Sequence, residues 1–153
     1  APQMQNITPA AVATFYRKHA TAIALVVAVR EAAKAMRARV DAYIKPVFDR
    51  FDFVDDDGAR IERPDDLWLC DDDDLCAEFY AACDAAHREA GFDLDAGYCP
   101  ALIAENDAIT AENRLLDVWR EYFGFPEMTR APRLGILLKA RGRPHNKPPP
   151  KPR

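Results

Sequence analysis

The opening third of the chain is patterned as a helix. Thr8-Pro9 supplies an N-cap followed by proline at the first helical position, where a missing N–H costs nothing, and no further proline follows until Pro46. Alanine, the strongest helix former, is abundant between them. Apolar positions recur at alternating steps of three and four through Val12, Phe15, His19, Ala22, Val26, Val29, Ala33, Met36, Val40 and Tyr43, with His19 the one polar member. That spacing lines one side of a helix. It predicts a single rod over residues 9–45, roughly 54 Å long at the helical rise. Between Ala20 and Val29 the remaining faces are apolar too, with Ile23, Leu25 and Val27. A helix apolar all round is expected to be covered by protein. Ile23, Val26, Val27, Val29 and Met36 are therefore the candidate residues for self-association, which implies a homodimer.

Beyond Pro46 the period changes. Phe51 and Phe53 alternate around Asp52, Asp57-Gly58 is a strong turn signal, and Arg60-Ile61-Glu62-Arg63 returns. Residues 47–70 read as a short hairpin or structured loop, closed by an apolar plug, Leu67-Trp68-Leu69. A second helix is predicted over 71–90, because carboxylates in a first turn favour the positive end of the helix dipole and Gly91 suits the position just past the end. Cys99-Pro100 opens a third, 100–123. Its heptad repeat is Leu102, Ile109, Leu116 and Phe123, with Leu115, Trp119 and Tyr122 alongside, and Gly124 ends it. Asn106 and Asn113 fall on that same seam, where asparagine fixes register at a cost in stability.

The expected fold class is mainly α: a bundle-like domain of three helices, one long and two shorter, over residues 1–127. A small extended or hairpin element is inserted, and a basic, proline-rich tail follows over 128–153. A chain of 153 residues with 49% hydrophobic positions is large enough for one domain with a real core. The longest apolar run, Ala22 to Val29, is too short to span a membrane. Together with the lack of a signal-peptide pattern, this leads to the expectation of a cytoplasmic protein.

Charge changes the picture more than composition does. Residues 1–48 carry seven basic and two acidic side chains, residues 49–95 four basic and seventeen acidic, and residues 96–153 ten basic and six acidic. The acidic middle is suited to a basic protein partner. Its aspartate runs, Asp55, Asp56, Asp57 and Asp71, Asp72, Asp73, Asp74, are the candidate interaction residues. A regulatory, non-enzymatic interaction protein is the function this layout favours. The tail gives an alternative: Arg141, Arg143, Lys147, Lys151 and Arg153 could neutralise phosphates of a nucleic acid. It contains no aromatic residue for base stacking. Its Pro-Pro-Pro run would equally suit a polyproline II groove.

Specific chemistry is sparse. The four cysteines, at 70, 76, 83 and 99, match no zinc-ribbon or finger spacing. A zinc site from Cys76, Cys83, His87 and Cys99 is a further alternative, although Cys76 and His87 lie about 16 Å apart along a helix. A disulfide from Cys70 or Cys76 to Cys99 would need an oxidising compartment, and free thiols on apolar stripes are favoured over both. Glu105 and Glu112, seven apart, suit a polar interhelical network better than acid–base catalysis, since the Glu-x-x-His of di-metal bundles is absent. The Asp55–Gly58 run fails the calcium-loop pattern, which would put Phe53 at the first ligand position. No nucleophile elbow, zincin helix, Walker loop or dinucleotide fingerprint occurs, so no cofactor is expected.

Overall fold

The computed structural model describes residues 8–124, which are mainly helical. In chain order they form α1 (Pro9–Lys18), α2 (Ala20–Phe48), a short 3-10 helix (Pro64–Leu69), α3 (Asp73–Glu89) and α4 (Pro100–Phe123). No single helix among them is long and apolar enough to cross a membrane. Contacts divide the chain into two units. One takes in residues up to Glu31 and from Asp107 onward; the other is Ala32–Asn106. The boundary falls inside α2 and inside α4. The proposed tail, 128–153, lies outside the described residues.

The single N-terminal rod is not what forms. The helix breaks at His19, and its two pieces, α1 and α2, are bent by 81°. α1 starts as expected, with Thr8 Oγ1 accepting from the Ala11 N–H at 3.1 Å. It ends on Arg17 and Lys18, cations that suit the negative end of the dipole. His19 leaves helical geometry at φ −112, ψ 25, and its carbonyl accepts the Ile23 N–H that begins α2. The bend has a packing reason. It lets Phe15 from α1 and Ile23 and Val26 from α2 enter one core with Leu115, Trp119 and Phe123. Phe15 stands edge-on to Trp119 at 5.0 Å and His19 lies 4.7 Å from Phe15, ring to ring. This is the core of the first unit.

The other end of the expected rod also moves. Pro46 does not stop α2, which runs on to Phe48. Proline removes one backbone donor and crowds the carbonyl four residues back, but so near the end only one helical turn bears the cost.

The second unit has its own core: Val47, Phe48, Phe53, Ile61, Leu67 and Phe79. The expected hairpin is reduced to one antiparallel bridge, Val54 with Arg60. Asp55 holds it. Its backbone N–H donates to the Ala59 carbonyl, and its Oδ1 accepts from the Asp57 and Ala59 amides at 3.0 and 2.9 Å. Gly58 sits at φ +78, the left-handed region that a side chain resists. Of the apolar plug, only Leu67 docks; Trp68 is 78% exposed. α3 begins two residues later than its aspartate run suggests, because Asp72 is the cap, its Oδ1 accepting from Leu75 N–H at 3.0 Å.

The seam of α4 departs from the expected heptad in its first half, while the last members hold: Leu116 packs against the first unit's core and Phe123 is fully buried. Ala101, Ala108 and Leu115 are buried, whereas Leu102 and Ile109 are 52% and 53% exposed. Asn106 and Asn113, expected inside, are exposed as well. The paired glutamates do meet the expected polar network. Within the first unit Arg30 Nε lies 2.9 Å from Glu112 Oε1. Within the second, Arg37 donates through Nε and Nη2 to the two Glu105 oxygens at 2.8 and 2.9 Å.

Candidate functional site

The second unit gathers part of the acidic block at one place. The hairpin brings Asp52, Asp55 and Asp56 to the same pocket, about 240 Å³, as Asp71 and Asp72 from the start of α3, with Val54, Cys70 and Leu75 completing the lining. No lysine or arginine lines it. The aspartates do not have equal freedom. Asp55 is engaged by its own turn and Asp72 by the α3 cap. Asp56 and Asp71 face each other directly. Hydrogen bonding to Asp56, then repulsion from the same carboxylate, raises the Asp71 carboxyl above its ordinary 3.8. Two carboxyls held together with no cation lining the pocket form a locus of uncompensated negative charge.

Asp73 and Asp74 occupy the first turn of α3, exposed, and Asp57 is exposed in the turn; none of the three lines the pocket. Asp52 does, although the aspartate runs did not point to it. Its signal was the alternation Phe51-Asp52-Phe53, which turns Phe53 into the core and Asp52 the other way.

A second groove, about 570 Å³, runs between α2 and α3 and is lined by Tyr43, Pro46, Val47, Arg50, Ala82, Ala85, Ala86, Glu89 and Ala90. At its wall the Tyr43 hydroxyl shares a hydrogen bond with Nδ1 of buried His87. Burial lowers the His87 pKa from 6.5 and raises the Tyr43 pKa from 10.0. Both groups are thereby held neutral at physiological pH, a packing contact between α2 and α3 rather than an activated base. This pair was not visible in the sequence, where Tyr43 and His87 each belong to an apolar stripe.

The cysteines stay free thiols, each half-buried. Among the described residues no group of three or more His, Cys, Asp or Glu is placed to hold a metal ion, so Cys76, Cys83, His87 and Cys99 are not brought into one ligand set. Burial pushes the Cys83 thiol up to about 11, away from the thiolate that ligation or attack requires. Cys76 is raised as well, by burial first and then by its contact with Cys70.

Of the residues expected to mediate self-association, Ile23 and Val26 are already spent in the core of the first unit. Val27, Val29 and Met36 are half-buried, and Leu25 stands 62% exposed beside them. Arg141, Arg143, Lys147, Lys151 and Arg153 lie outside the described residues. Comparison with protein families, with characterised proteins and with solved structures finds no match to this chain.

Proposed function

We propose that the protein is a non-enzymatic, regulatory interaction module whose acidic face, centred on the Asp52–Asp56 and Asp71–Asp72 pocket, receives a basic segment of a partner protein. One observation carries this reading: five aspartates line one pocket without a basic residue, and two of them stand close enough for Asp56 to raise the Asp71 carboxyl above its ordinary 3.8. Like charges held together are destabilising unless something of opposite sign relieves them. A lysine or arginine side chain would supply that relief, and Val54, Cys70 and Leu75 offer its aliphatic stem an apolar floor. Self-association through the N-terminal helices would use the exposed Leu25 with Val29 and Met36, since Ile23 and Val26 are core residues and Val27 packs against that core.

The test is calorimetric titration of the full chain with a lysine- and arginine-rich peptide at low salt. Binding should weaken about tenfold, some 1.4 kcal/mol, when Asp56→Asn and Asp71→Asn are combined, and should weaken further as salt is raised. An affinity unchanged by the double substitution would sink the reading.

A further inference from the structure

The entry into α3 carries a thiol on either side of its cap. The 3-10 helix stops at Cys70, whose backbone is extended at φ −86, ψ 128 and whose N–H donates to the Leu67 carbonyl. Two residues on, Asp72 caps α3 with its side chain, and its carbonyl accepts the Cys76 N–H at 3.0 Å to close the first helical turn. Cys70 thus stands two positions before the cap, and Cys76 is the fourth residue of α3. A chain entering a helix commonly folds an apolar residue from just before the cap onto the fourth helical residue, a contact that fixes the angle of entry. Here both members of that contact are cysteine.

The contact is made. Cys70 and Cys76 pack against the same core, that of the second unit, in which Leu67 and Phe79 are buried. Both are half-buried free thiols, and the Cys76 thiol hydrogen-bonds to that of Cys70. We infer that Cys70 and Cys76 are a redox-responsive pair, which a small-molecule disulfide closes into an intrachain disulfide that ties the end of the 3-10 helix to the first turn of α3. The folded-back entry supplies what a bridge between residues so close in sequence needs, two sulfurs brought together before any bond forms.

The step is thiol–disulfide exchange. Cys70 loses its proton to solvent, and its sulfur attacks the small disulfide, breaking that S–S bond and releasing one small thiolate, which takes up a proton. Cys76 then loses its proton and attacks the Cys70 sulfur, expelling the second small thiolate, protonated in turn. The chain gives up two electrons and two protons, and the small disulfide accepts both to become two thiols. Cys70 is the entry point, because it lines the acidic pocket together with Asp71 and Asp72. That charge draws in a cationic disulfide and repels an anionic one. Burial, then Cys70 and the aspartates at the helix start, hold the Cys76 thiol above its ordinary 9.0. Closure is therefore slow, and the pair follows the equilibrium ratio of disulfide to thiol.

The test equilibrates the full chain with cystamine, a dicationic disulfide, and its thiol cysteamine, then quenches in acid and weighs the intact chain. The mass should fall by about 2 Da, the two thiol hydrogens. Cleavage at the aspartates between the two cysteines should leave their peptides joined. The equilibrium constant for closure should be at least about tenfold larger in native buffer than for chain unfolded in urea, because only the fold holds the thiols together. Cys70→Ser and Cys76→Ser should each stop at a mixed disulfide with cysteamine. Equal constants in buffer and urea overturn the inference. So do a mixed disulfide that persists on the unsubstituted chain, a bond from either thiol to Cys83, to Cys99 or to a second chain, and thiols that stay reduced at every ratio.

Discussion

At the scale of single residues, the informative groups are those whose protonation the fold has altered. Asp71 is held above 3.8 by Asp56. A cationic side chain bound in the pocket would favour the charged form and draw the pKa back down. Binding measured at mildly acidic pH should therefore release protons, seen as a dependence of calorimetric heat on buffer ionisation enthalpy. Heat independent of buffer would mean that the cation binds elsewhere. His87 gives a prediction of stability. Its pKa is lowered from 6.5 by burial, so below that value the unfolded chain takes up a proton that the folded chain resists. Stability should be level above about pH 7 and fall as the pH drops below about 6.5, the window set by the ordinary and the lowered pKa. His87→Gln should flatten this slope in urea melts. Tyr43→Phe, which removes the hydroxyl bonded to Nδ1, should cost about 1 kcal/mol. A pH slope unaffected by His87→Gln would assign the proton uptake to another group.

At the scale of elements, the helix ends were legible and the faces less so. Thr8, Pro100, Gly91 and Gly124 all stand where local chemistry puts them, because a cap depends on residues within a few positions of itself. Gly91 and Gly124 adopt φ +97 and +72, as helix stops of this kind do. The aspartate run was also a genuine start signal, although only Asp72 is the cap. The faces depend on partners far away in sequence. In α4, Leu102 and Ile109 outweigh Ala101 and Ala108 on any hydrophobic scale, yet the alanines face inward. Small side chains let a helix backbone approach its neighbour closely, an advantage that burial propensity alone does not register. The break at His19 was foreshadowed by Arg17, Lys18 and His19 in succession, which suit a helix terminus, but the unbroken apolar period concealed it. The acidic pocket was half legible: the charge block was plain, whereas the meeting of Asp56 with Asp71 required the hairpin to turn back toward α3.

The Arg37–Glu105 contact is the element-scale link open to measurement. It is bidentate but about a third exposed on both sides, so solvent screens it. A double-mutant cycle with Arg37→Met and Glu105→Gln should give a coupling of about 0.5–1 kcal/mol. Hydrogen bonding to Arg37 lowers the Glu105 pKa from 4.5. The coupling should therefore be fully present above about pH 4.5 and disappear as the pH falls through the lowered value. A coupling that persists in strong acid would show that packing of the arginine stem, not charge, holds the pair.

At the scale of the whole molecule, two separate cores share one helix, α2. α2 contributes Ile23 and Val26 to one core and Val47 and Phe48 to the other, and helix propagation along an unbroken backbone is cooperative. Loss of either core should therefore be felt at the other. Each core carries its own reporter. Trp119 is buried in the first at 1% exposure, and the Cys83 thiol, held near 11, protects itself in the second. Phe79→Ala removes a ring central to the second core and should cost about 3–5 kcal/mol, a large share of a small domain's stability. The variant should expose Cys83 to thiol reagents and, at the same denaturant concentration, red-shift the Trp119 emission. Trp68→Phe is the background for both measurements, since the exposed Trp68 ring would otherwise add a solvent-like signal. Coincident midpoints mean that α2 transmits unfolding from one core to the other. Midpoints that separate, with Cys83 reacting while Trp119 stays buried, would show that each unit melts alone and that α2 frays between them.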